Sequence, residues 1–146
     1  MVLEGAGLVT RLLRVWRAVR SIGENPVPHM QARIAPSLPS PELAPACDSL
    51  FMLTEAVLGR PLVTGRCGSI GLSRDETAVL LMLRHWRAAG SVRTSAAVPH
   101  GLPEALRWAA FAVTRALDER FDLGDIGAAG AAGRCPFGGA GLERAA

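Results

Sequence analysis

Lysine and tyrosine are absent from this 146-residue sequence, aromatic residues of all kinds make up 5%, and cysteine occurs three times. Without lysine, arginine carries all sixteen basic charges; with the abundant alanine and glycine, this points to a GC-rich bacterial coding sequence. The cysteines, Cys47, Cys67 and Cys135, are odd in number, widely spaced and without a Cys-x-x-Cys pair, which argues against a disulfide framework and for reduced thiols in a cytoplasm. His29, His85 and His100 add nothing at short ligand spacing, so neither a metal site nor a cofactor is expected. No apolar run reaches the roughly 18–20 residues of a membrane span, and no transmembrane segment is expected. Basic and apolar residues interleave at the N-terminus, the wrong order for a secretory leader.

Hydrophobic residues make up 49% and charged residues 20%, a globular balance with enough length for one core. The net charge is +3, distributed unevenly. Residues 1–36 hold five Arg against two Glu, residues 37–59 hold Glu42, Asp48 and Glu55 without a base, and residues 60–93 hold six Arg against Asp75 and Glu76. This permits an anionic partner, but nucleic acid is not expected because no dense basic face emerges.

Four helices are expected. From Gly7 to Ile22, Leu8, Val9, Leu12, Val15, Trp16, Val19 and Ile22 share one face, while Arg11, Arg14, Arg17 and Arg20 occupy the opposite half. Gly23 is the stop. Six prolines between residues 24 and 45 exclude a continuous helix and suggest a linker over 24–44. A second helix, beginning near Ser40 or Ala44 and ending at Leu58 before Gly59, turns Cys47, Leu50, Phe51, Thr54, Val57 and Leu58 inward and Asp48, Met52 and Glu55 outward. Ser73 and Glu76 form a capping box for a third, whose all-round apolar run Ala78–Leu83 suits the centre of the fold. A fourth, from about Pro103 to Arg120, is lined by Leu106, Ala109, Ala110, Val113 and Leu117, with Trp108, Phe111 and Ala112 widening the inward face. The expected fold is an all-α bundle: a basic amphipathic helix (1–23), the linker (24–44), a helical core (45–121) and a disordered Gly/Ala-rich tail (122–146).

Two segments invite a functional reading. The first helix is suited to an anionic membrane surface or an acidic partner groove, with Arg11, Arg14, Arg17 and Arg20 at the anions and Trp16 inserted. The competing reading, which we favour, is a core helix with a solvated arginine face. The loop Gly65–Gly71 has glycine at every third position and precedes a helix. Arg66, Cys67, Gly68 and Ser73 are therefore candidates for holding an anion or activating a thiol. The loop lacks a P-loop ending, and an ordinary connector is the simpler reading. Asp75/Glu76 and Asp118/Glu119 are adjacent on helices and read as capping or solvated charge, not acid–base pairs.

Between Leu53 and Leu117, the order TEAVLGRPL, GRCGSIG, LSRDETAVLL and VPHGLPEALRWAAFAVTRAL resembles a small bacterial all-α family of unknown function, often with more cysteines in that loop. The resemblance implies helices and brings no activity. The function expected from the residues is a non-enzymatic interaction or regulatory module, with a protein partner or a second copy of itself. A thiol or anion-binding protein and a peripheral membrane protein are the alternatives.

Overall fold

The computed structural model describes residues 3–34, 40–66, 68–88, 101–117 and 121–122, which form a small all-α fold. Five helices follow in order: α1 (Gly5–Ser21), α2 (Pro26–Ile34), α3 (Leu43–Leu58), α4 (Arg74–Ala88) and α5 (Leu102–Leu117). Two short strands, β1 (Leu3–Glu4) and β2 (Phe121–Asp122), pair in parallel, Leu3 with Phe121 and Glu4 with Asp122. The remainder of the tail expected to be disordered lies outside the described residues.

The helix ends follow local chemistry. After α1, Gly23 has φ 78°, its amide donates to the Arg20 carbonyl, and the Glu24 amide donates to Val19. These are the two bonds of a Schellman motif. Gly59 ends α3 with φ 65° and one bond to the Glu55 carbonyl. At α4 the capping box forms in both directions: the Ser73 amide donates to Glu76 Oε2 at 2.7 Å, and the Glu76 amide to Ser73 Oγ at 3.1 Å.

The span read as a linker contains α2. Its prolines do not prevent a helix because Pro26 and Pro28 occupy the first turn, where amides have no intrahelical acceptor. Asn25 caps it, accepting from the Val27 amide at 3.1 Å. Pro26, Met30 and Ile34, spaced four apart, are buried.

One core draws on all five helices. Leu12, Leu13 and Trp16 of α1 are within 1% of complete burial, so α1 is part of this core and not an appendage. It packs on α2, α3 and α4. The most extensive helix interface is between α3 and α5, and α3 also packs on α1 and α2. The centre thus falls to α3 instead of α4, which lies against α1 and α5. The apolar run of α4 is still used: Val79, Leu80, Met82 and Leu83 are buried, while Ala78 and Leu81 sit at the edge.

Candidate functional site

The loop between α3 and α4 is held by charged side chains that converge on it from three helices. Glu55 on α3 accepts from the Leu62 amide at 2.8 Å. Asp75 in the first turn of α4 accepts from the Val63 amide at 2.8 Å and from both terminal nitrogens of Arg60 at 2.7 and 2.9 Å. Glu76 accepts from the Gly65 and Ser73 amides, and the Ser73 hydroxyl donates to the Val63 carbonyl. Asp75 and Glu76, read as capping or solvated charge, are both buried. The Arg60 hydrogen bond, with the Val63 amide and nearby positive charge, outweighs burial and holds the Asp75 carboxyl below its ordinary range. Burial is the largest influence on Glu76 and raises it. The Arg14 and backbone hydrogen bonds, with the Arg14 charge, together prevail and bring it below its ordinary value.

Arg14 is the centre of this arrangement. Its Nε donates to Glu76 Oε1 at 2.6 Å and Nη2 to Oε2 at 3.1 Å, a bidentate pair with the arginine side chain 9% exposed and the carboxylate fully buried. The same guanidinium donates to the carbonyls of Arg66, Ser69 and Gly71 at 3.1, 2.8 and 2.8 Å. The approach leaves no room beside Gly65: a Cβ there would stand 2.7 Å from Arg14 Nη2 and 2.9 Å from Ser69 Oγ. The loop glycine is therefore required for close approach.

This geometry corrects the surface assigned to α1. Arg14 is 8% exposed and Trp16 0%, so neither belongs to a membrane or partner surface. Trp16 Nε1 donates to Asp48 at 2.7 Å, which turns Asp48 toward α1, and its ring meets Phe51 edge-on with centroids 5.4 Å apart. Arg17 is half-buried, Arg11 and Arg20 are exposed, and Arg20 lies 4.9 Å above the Trp16 ring. In the loop, the Arg66 carbonyl serves Arg14 while the residue stays exposed, and Gly68 takes φ 83°. Ser73 is spent on the cap and the Val63 carbonyl. Cys67 lies outside the described residues. At this helix start, the Gly65 and Ser73 amides bind the protein's own Glu76 carboxylate, which stands where an external anion would otherwise be held. Cys47 is fully buried, and burial followed by the Asp48 charge pushes its thiol up to about 12, leaving it without nucleophilic thiolate.

A second polar and aromatic surface runs along α5. Trp108 is 45% exposed, a correction to its placement on the inward face. It stands two residues from Leu106 and from Ala110, hence about 200° around the helix from each, a signal legible in the spacing. Its ring meets Phe111 edge-on at 5.9 Å, Arg115 lies 5.9 Å over Phe111, and Arg107 lies 5.0 Å over Trp86 of α4. Among the described residues, no group of three His, Cys, Asp or Glu could hold a metal ion, and no helix is long and apolar enough to cross a membrane.

Compared with known proteins, the chain matches no family model, no curated protein and no solved structure.

Proposed function

We propose that this chain is a non-enzymatic interaction module of the bacterial cytoplasm that recognises a protein surface through α5. The observation that carries the reading is Trp108, a large aromatic ring left 45% exposed on a helix whose opposite face is fully used in the core. Phe111 and Arg115 continue the same face one and two turns on, and Arg107 stacks on Trp86 beside it. Tryptophan and arginine are the side chains that dominate binding energy at protein interfaces, and their mutual stacking reduces the rotamer freedom lost on binding. The basic helix α1 is a weaker candidate for inserting into a surface because its own apolar stripe, Leu8, Val9, Leu12, Leu13 and Trp16, is engaged in the core.

A photoreactive phenylalanine analogue at position 108, in the full chain inside its host cell, tests the reading. It is expected to cross-link to one discrete protein, a second copy or another chain, while the same analogue at position 17 gives none. Absence of a specific product at 108, or equal labelling from both positions, overturns the proposal.

A further inference from the structure

A cleft of about 600 Å³ opens between α1, the C-terminal turn of α2 and the second half of the α3–α4 loop. Its size falls in the range of small-molecule sites. The walls are mainly apolar: Val15 of α1, Ile70 and Leu72 of the loop and Leu80 of α4. Ile70 is fully exposed and Leu72 is 44% exposed, so this apolar surface faces solvent beside the cleft instead of closing over it. Arg11 from α1 and Arg33 from α2 also line it, both exposed and without an ion pair among the described residues. Arg14 forms part of the wall, but its guanidinium is committed to Glu76 and to the loop carbonyls.

Thr10 supplies the second observation. It lies in the cleft wall, is 8% exposed, and its hydroxyl has no hydrogen-bond partner among the described residues. The helical threonines Thr54, Thr77 and Thr114 behave differently, each donating its hydroxyl to a backbone carbonyl one turn earlier. A buried hydroxyl left unpaired is unfavourable. In a helix, threonine χ1 divides between two rotamers, and a turn about χ1 exchanges the hydroxyl with the methyl group. The apolar floor, the two cationic groups on separate helices and the unpaired donor together describe one kind of ligand.

We propose that this cleft binds a monomeric amphipathic anion: a carboxylate or phosphate head held between Arg11 and Arg33, accepting from Thr10, with a short hydrocarbon body lying on Val15, Leu72 and Leu80. An apolar body without charge leaves the arginines unused. An inorganic anion leaves the floor uncovered. The loop takes part because Arg14, itself in the cleft wall, holds the carbonyls of Ser69 and Gly71 on either side of Ile70, next to Leu72.

The test is calorimetric titration of the full chain with decanoate, below its micellar range, alongside decanol and inorganic phosphate. Decanoate is expected to bind with one-to-one stoichiometry and at least tenfold more tightly than decanol or phosphate. Arg11→Ala and Arg33→Ala are each expected to weaken it about tenfold, as loss of a charged hydrogen bond does. Both residues are exposed, so an unchanged thermal melt establishes that these variants fold. Thr10→Val, which keeps the side-chain shape, is expected to weaken decanoate while leaving or raising the melting temperature of the free protein. Co-sedimentation with phosphatidylglycerol vesicles distinguishes the other source of such a head group. Vesicle binding that decanoate fails to displace overturns the proposal in favour of a lipid surface. Equal decanoate affinity for the wild type and the Arg11→Ala/Arg33→Ala double variant, or no binding, also overturns it.

Discussion

Arg14 and Glu76 illustrate how a charge is accommodated inside a small helical protein. Burying either ion alone would be prohibitive, and the pair is tolerable because nearly every donor and acceptor on it is used. The carboxylate takes two guanidinium bonds and two loop amides, and the guanidinium continues to three carbonyls. Glu76→Ala strands the arginine and leaves the Gly65 and Ser73 amides without their acceptor. It is expected to destabilise the fold by about 3–5 kcal/mol in urea denaturation, the range for breaking a buried pair from one side. Arg60→Ala is the contrasting case. Its side chain is 47% exposed, so water replaces it at Asp75, and the expected loss is a small fraction of that for Glu76→Ala. Equal losses for the two variants would show that Arg14 and Glu76 do not organise the loop.

At the scale of elements, α1 and the α3–α4 loop depend on each other. The helix contributes Leu8, Val9, Leu12, Leu13 and Trp16 to the core and sends Arg14 outward from that same packed surface to the loop. A chain starting at Glu24 is therefore expected to lose its cooperative thermal melt and to aggregate in light scattering. Removing these side chains exposes the facing surfaces of α3 and α4 and also unpairs Glu76. A monodisperse truncated protein with an unchanged melt would contradict this account. Much of the element plan was legible in sequence. The positions of Ser73 and Glu76, of Gly23 and Gly59, and the three- and four-residue spacing of the apolar stripes report local backbone chemistry that needs no tertiary partner. The α2 helix was legible too, in Asn25–Pro26 and the four-residue spacing of Pro26, Met30 and Ile34, but it was obscured by reading prolines as breakers irrespective of position.

For the whole molecule, the clasped carboxylates make stability a function of pH. Asp75 and Glu76 are both held below their ordinary values in the folded protein. Their contribution is complete above the unfolded values, about 3.9 for Asp and 4.3 for Glu, and is lost as pH falls through the lower folded values. The melting temperature is therefore expected to be level from pH 7 to about 5 and to fall below about 4. In an Asp75→Asn/Glu76→Gln variant, the melting temperature starts lower and the acid fall is shallower. Cys47 acts at the other end. Its folded thiol is pushed up to about 12, whereas an unfolded thiol ionises near about 8.5, so its contribution is full below that value and declines as pH rises beyond it. A melting temperature independent of pH from 2 to 7 would remove the clasp from the stability of the fold.

The sequence by itself determined four of the five described helices, most of their ends and the main apolar stripes, because these follow from capping chemistry and from a period of 3.6 residues acting over one or two turns. It also showed which segments were unusual, the arginine-rich first helix and the glycine loop, without showing that they meet. Only the tertiary structure decided that Arg14 leaves the solvated face to bind Glu76, 62 residues away, and that Trp16 is covered while Trp108 is not. It alone brought Thr10, Arg11 and Arg33 to one cleft. Helix periodicity specifies where a side chain points around its own axis. Which face meets another helix, and which charge finds a distant partner, depends on how the helices pack, and a single chain's local pattern carries no record of that.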